Sequence, residues 1–167
     1  MNIEHLDGGS IRRTDDPGEP TTGKPRISIA QDEIDILTEA ARDHIVLEIG
    51  TGLGVSTRAL AQHARTVITV DPDPWVAETI APTLPRNVLH LPTLDDIPDT
   101  VVFTMAFIDG DHSTESTNRD ILAAYMRIVA GARIWVHDAK YPNVAAALHG
   151  FKHIPTTHGL AYLNIIS

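Results

Sequence analysis

The chain has 167 residues and a formal charge of −9, with 13 Lys and Arg against 22 Asp and Glu. That length suits one domain with a hydrophobic core, and the acidic balance argues against a general binder of nucleic-acid backbones. Cysteine is absent, which excludes disulfides, thiolate metal sites and a thiol nucleophile and fits a reducing, cytoplasmic setting; no apolar run reaches the roughly 18 residues of a membrane span, and Met1–Ser10 lacks the pattern of a secretory signal.

Residues 1–26 mix Gly, Pro, Thr and opposing charges without apolar periodicity, which predicts a flexible arm ahead of one domain spanning 27–167. Ser28 and Gln31 have capping-box spacing, and Ile34, Leu37 and Ala41 follow at helical intervals, so a helix is expected over 28–42. Ile45–Ile49 is a short apolar strand running into glycines. Ser56–Ala64 reads as a helix, and Thr66–Val70 as a second strand ending at Asp71. Pro74 opens a helix through Ile80. Asn87–Leu91 and Val101–Ile108 read as the third and fourth strands, the latter nearly all apolar and so buried on both faces. Ser113–Ala130 carries a helical apolar stripe that Gly131 closes, and Ala132–Val136 is the fifth strand. A short helix is expected over 143–148. Phe151–Ile154 and Leu160–Ile166 are then joined by a connection that permits only an antiparallel hairpin. Strand–helix alternation of this kind predicts an α/β, doubly wound, mostly parallel seven-stranded sheet with an antiparallel C-terminal hairpin.

The densest signal is Glu48-Ile-Gly50-Thr-Gly52-Leu-Gly54 between the first strand and its helix. Alternate glycines let the backbone turn tightly and approach a ligand, while the helix start offers N–H groups. A dinucleotide fingerprint needs glycine where Val55 stands, and an acid at Glu48 repels a pyrophosphate while suiting a cationic ligand. Those two residues count against a nucleotide-linked oxidoreductase or epimerase. Asp71 closes the second strand, where a carboxylate accepts hydrogen bonds from a ribose diol.

With Val55-Ser56-Thr57 after it, this loop resembles motif I of the Rossmann-like (class I) S-adenosylmethionine-dependent methyltransferases, and Asp71 is similar to their ribose-binding acid. The resemblance runs from about residue 28 to the end. It implies that Glu48, Gly50, Gly52 and Ser56 surround the methionine part of the cofactor, with Thr93 or Leu94 near the adenine, and that Thr51, Gly54 and Asp109 also bind the cofactor.

A second constellation comprises Phe107-Ile-Asp109-Gly-Asp111-His112 at the fourth strand end and Trp135-Val-His137-Asp138 at the fifth. Ligands of open parallel sheets bind outside the carboxyl ends of the strands, so both clusters share a rim with the glycine loop. This segment is similar to the small-molecule O-methyltransferases of the catechol and macrolide-sugar type. The resemblance implies His112 as the base, three residues after Asp109, and Asp109, His137 and Asp138 around Mg²⁺ or Mn²⁺. His137 departs from the usual carboxylate, and imidazole suits softer ions than Mg²⁺ or points elsewhere; the metal is therefore conditional. A bland alternative has Asp111 or Ser113 capping the next helix.

Lys140 is expected to be solvated, His149, His153 and His158 to be surface or hairpin residues, Trp75 to belong to a plain turn into a helix, and Trp135 to lie in the core. The expected activity is methyl transfer from S-adenosylmethionine to a hydroxyl of a small molecule, the alternative being a cofactor-binding scaffold or sensor without turnover. So little chain remains to cover a substrate that a homodimer completing the pocket is an option.

Overall fold

A computed structural model describes residues 3–5, 11–13 and 29–166. Within the predicted arm, β1 (Ile3–His5) and β2 (Ile11–Arg13) pair antiparallel; the rest of the arm, and Ser28 of the expected first helix, lie outside the described residues. The domain follows as α1 (Gln31–Ala40), β3 (Ile45–Ile49), α2 (Val55–Ala61), β4 (Thr66–Val70), β5 (Val88–Leu91), β6 (Phe103–Ile108), α3 (Thr114–Tyr125), β7 (Ile128–Val136), α4 (Pro142–Ala145), β8 (Lys152–Ile154) and β9 (Leu160–Asn164). A π-helical turn, Val76–Ile80, leads from β4 toward β5.

Seven strands form one sheet in the order β5-β4-β3-β6-β7-β9-β8. β5 through β7 are parallel, and β9 runs antiparallel to both β7 and β8. The predicted doubly wound sheet with a closing hairpin is thus the fold. Alternate residues of the central strands serve opposite faces. Leu47, Ile68, Ala106 and Ile134 join one buried cluster with Ala124 of α3 and Val144 of α4. Val46, Val67, Met105 and Trp135 join the other with Leu37 of α1 and Leu60 of α2. Because β3 and β6 are covered on both sides, their sequences are near-continuous apolar runs. Among the described residues, no helix is long and apolar enough to cross a membrane.

Several expected boundaries need correction: α2 ends at Ala61, not 64, β6 starts at Phe103, not 101, and β9 ends at Asn164, not 166. The first helix starts at Gln31, not 28, with the Ala30 N–H donating to Glu33 Oε2 at 2.9 Å, while the Gln31 amide reaches Asp35 instead of capping. Gly131 does not close a helix. α3 ends at Tyr125, and the β-branched pair Ile128-Val129 already belongs to β7. There the β6–β7 register jumps from Phe103↔Ile128 to Met105↔Arg133. Gly131, at φ +83°, carries the chain through this bulge and donates its N–H to Ile165 O; glycine adopts such a backbone without a Cβ clash. The short helix before the hairpin is Pro142–Ala145 rather than 143–148, since Pro142 suits a first turn.

Candidate active site

Each parallel strand hands its last ladder bond to the residue just beyond its neighbour. Gly50 N bonds to Val70 O, Asp71 N to Leu91 O, Asp109 N to Ile49 O, and His137 N to Ile108 O, all at 2.9 to 3.1 Å. The glycine loop, Asp71, the Asp109–His112 turn and His137-Asp138 are therefore fixed along one rim of the sheet.

On the β3–β4 side, backbone does most of the building. A Cβ at Gly50 would lie 2.2 Å from the Asp109 carbonyl oxygen, so this glycine serves the close approach of two strand ends. Gly52, at φ +49°, is different: a Cβ there would meet nothing within 4 Å, leaving its face open for a ligand to approach the main chain. Gly54 backs onto Arg58, Ile80 and Leu84. Asp71 Oδ2 accepts the N–H groups of Thr51 at 3.1 Å and Gly52 at 2.9 Å, and Oδ1 accepts that of Asp73 at 3.0 Å. The expected ribose acid thus also clamps the loop. Thr51 is buried, its hydroxyl 2.6 Å from that of Thr69.

Glu48 departs from its expected place around the ligand. Its side chain points under α2 and is 0% exposed, with the hydroxyls of Ser56 and Thr57 donating to its two oxygens at 2.7 and 2.6 Å. Burial pushes its carboxyl up to about 7, although the hydroxyls oppose the rise. Glu48 and Ser56 therefore bind each other and anchor the first turn of α2. Thr93 is exposed and caps a short turn, its N–H and hydroxyl both donating to Asp96 Oδ2, while Leu94 packs on the core.

Side chains build the β6–β7 side. His137 is buried, with its ring between three carboxylates: Nδ1 lies 2.9 Å from Asp109 Oδ1 and 3.3 Å from Asp138 Oδ2, and Nε2 lies 3.0 Å from Glu33 Oε2. Burial works against a charge there, but the hydrogen bonds to Asp109, Asp138 and Glu33 outweigh it and push the His137 pKa up to about 12. Asp138, at φ +55°, turns its carboxylate back toward the rim, and His112 Nε2 meets its Oδ2 at 2.7 Å. Bonds from His112 and His137 overcome the penalty of burial and hold Asp138 well below the usual carboxylate range. The same bond to Asp138 raises His112. His112 is half exposed and stacks on Tyr141, with ring centres 5.6 Å apart. Ser113, not Asp111, caps α3, its Oγ accepting the Ser116 N–H; Asp111 accepts from the Ser113 hydroxyl.

Two residues of this cluster were not anticipated. Glu33 is 0% exposed; besides His137, it accepts the Ala30 N–H, the Thr156 hydroxyl, the His158 and Gly159 N–H groups and the His158 ring. Burial opposes ionisation, yet the bonds from His137, Ala30 and His158 hold Glu33 well below the usual carboxylate range. A signal existed: Glu33, Leu37 and Ala41 share one helical stripe, so an acid stood on a buried face. His158, expected as a surface or hairpin residue, does lie in the hairpin connection, which is drawn to the cluster because Ala139 and Lys140 pair with Gly159 and His158. Lys140 is not simply solvated, its ammonium donating to the Thr156 and Thr157 carbonyls. Trp75 and Trp135 are both buried.

The expected metal ligands do come together, but they do not suit Mg²⁺. One of the three donors is an imidazole nitrogen already turned toward both acids, and the void beside it measures about 10 Å³. Mg²⁺ seeks six oxygens in an octahedron and keeps several waters, whereas such a void is near the limit for a single water. A larger void of about 140 Å³ lies at the opposite sheet end, between His44, Thr104 and the Gly131 bulge, away from these groups. Open space at Gly52 beside the Asp71 carboxylate, by contrast, fits a nucleoside-bearing cofactor.

The family described as "Methyltransferase domain" matches residues 47–139. The O-methyltransferase TomG from Streptomyces achromogenes, solved with S-adenosylmethionine, superposes with TM-score 0.67 at 19% identity, covering 86% of this chain and 83% of TomG. Cofactor-bound Rv0187 from MTB gives TM-score 0.67 at 25% identity over 83% of this chain and 81% of its own. An rRNA methylase from Streptococcus thermophilus gives 0.60 at 18%, covering 80% and 94%, so the fold leaves the acceptor open. A search of the curated proteins finds no match. The chain belongs to the methyltransferase domain family and is a Rossmann-like S-adenosylmethionine-dependent methyltransferase.

Proposed function

We propose that this methyltransferase acts on a hydroxyl of a small molecule, with His112 as the general base. One observation carries the reading: His112 Nε2 meets Asp138 Oδ2 at 2.7 Å while the ring stays half exposed at the rim that holds the glycine loop. An ionised carboxylate only accepts hydrogen bonds, so in the neutral ring Asp138 selects the Nε2–H tautomer. The Nδ1 lone pair is then left to take a proton. S-adenosylmethionine, when bound, supplies the sulfonium methyl. Asp71 is the residue for its ribose, and the open face of Gly52 lets it lie against the backbone. His112 takes the hydroxyl proton as the oxygen becomes nucleophilic, and the rigid rim holds the two reactants in line. Tyr141, half exposed beside His112, offers a flat surface to the acceptor. Because Asp138 raises the His112 pKa, the neutral base accumulates only above the ordinary value of 6.5, so kcat/KM should rise with pH to a midpoint above it.

The test is transfer of a labelled methyl group to a panel of catechols, sugars and macrolides. Transfer that falls about 10²- to 10⁴-fold in His112→Ala, with cofactor binding kept, supports the base; a variant as fast as the wild type removes it. The small void at the rim also suits a second reading, a cofactor-binding scaffold, which tight cofactor binding with no transfer to any acceptor would favour.

A further inference from the structure

The acids at the ends of β6 and β7 are held together by a side chain of the protein itself. Both ring nitrogens of His137 face carboxylates, Asp109 and Asp138 on one side and Glu33 on the other. Carboxylates cannot donate, so a ring satisfied on both sides carries both protons and a positive charge. Glu33 cannot turn away, because its two oxygens also take main-chain N–H groups from Ala30, His158 and Gly159. The His137 side chain is 1% exposed and Glu33 is 0%, and Phe107 and His158 wall the ring in. Glu33 and His158 both lie outside residues 47–139, the segment that matches the family. The Glu33 side of this lock is therefore built from parts of the chain that the family match does not include, while His137, Asp109 and Asp138 lie within it.

We propose that the His137 ring, locked in place by Glu33, occupies the position that a divalent ion would take between Asp109 and Asp138, so that transfer needs no ion between these two acids. Glu33 is then a positioning residue: it orients His137, which fixes Asp138, which orients His112. The link to transfer rests on the hydroxyl-transfer reading above, while the absence of ion binding stands independently of it.

The test uses the full chain and Mn²⁺ as the probe, read by electron paramagnetic resonance. Wild-type protein should leave the free Mn²⁺ signal undiminished. His137→Asp, which restores an all-oxygen set, should bind the ion at least tenfold more tightly than the wild type. Stoichiometric Mn²⁺ binding by the wild type that Asp109→Asn abolishes would overturn the proposal. Should His137→Asp not fold, the wild type decides alone through its ¹⁵N–¹H histidine spectrum at pH 8. One buried ring with both nitrogens protonated, missing in His137→Asn and altered in Glu33→Gln, is expected; a neutral ring with one bare nitrogen is the contrary result. Once an acceptor is found, chelator should change kcat less than twofold. A tenfold loss that Mn²⁺ restores would overturn metal independence while leaving the hydroxyl reading intact.

Discussion

The two halves of the rim are made in opposite ways. On the β3–β4 side a glycine loop and one acid, all within residues 48–71, form a surface of main-chain groups with open space at Gly52. On the β6–β7 side, three carboxylates and three histidines close on one another, joining Glu33 to His137 across 104 positions. The first half is a local product of chain geometry, and the second exists only once the sheet has brought α1, two strand ends and the hairpin connection together. A glycine loop of this kind can be written in one motif because it is made of local backbone. A charge cluster closed on its own counter-ions needs the completed fold.

Substitutions should separate the halves. The largest effect is expected on the histidine side in catalysis: His112→Ala should lower transfer by about 10²- to 10⁴-fold with little change in cofactor affinity, measured by single-turnover transfer and calorimetry. Next is stability. Glu33→Gln removes the counter-charge of a buried imidazolium and should cost about 3 to 5 kcal/mol in urea unfolding, while Ala substitution at the exposed Asp96 should cost under about 1 kcal/mol. If the two variants unfold alike, the Glu33 cluster is not what holds the rim.

A smaller effect is the pH dependence of stability. His137 has a folded pKa of about 12 against an ordinary 6.5. Its contribution is complete below 6.5 and declines as pH rises toward 12, by at most about 1.4 kcal/mol per pH unit. Glu48 adds to the decline between 4.5 and about 7, because the folded state prefers its neutral form there. Glu33 and Asp138, held low when folded, lose their contribution only as pH falls below the ordinary carboxylate range. Urea midpoints should therefore drop from pH 6.5 to 9, and His137→Asn should flatten that drop; a rising midpoint contradicts the buried imidazolium.

A contrast of another kind lies within the glycine loop. Gly50→Ala meets the Asp109 carbonyl at 2.2 Å and should prevent normal folding, whereas Gly52→Ala meets nothing and should cost only about 1 to 2 kcal/mol from its left-handed backbone. Circular dichroism and cofactor titration should show Gly52→Ala folded but binding about tenfold more weakly.

Much of this architecture could be read in advance where the cues are short-range. Ile45–Ile49 and Thr66–Val70 end where expected because apolar runs abut a glycine and an acid. Gly131 misled because glycine after an apolar stretch is both a helix stop and a bulge residue, and only the pairing of β7 with β6 and β9 selects the bulge. Glu48 was read as facing a ligand. Its position in β3 sends it to the α2 face, a consequence of strand alternation that the motif alone does not reveal. Glu33 stood on a buried helical stripe, yet no local feature names a partner beyond the end of β7.

Titration of the wild-type chain with S-adenosylhomocysteine, repeated on Asp71→Ala, probes the donor half most directly. One molecule should bind per chain at about micromolar strength, and Asp71→Ala should weaken it about 100-fold. Absence of binding to the wild type, or equal binding by the variant, would contradict the placement of the cofactor at Gly52 and Asp71.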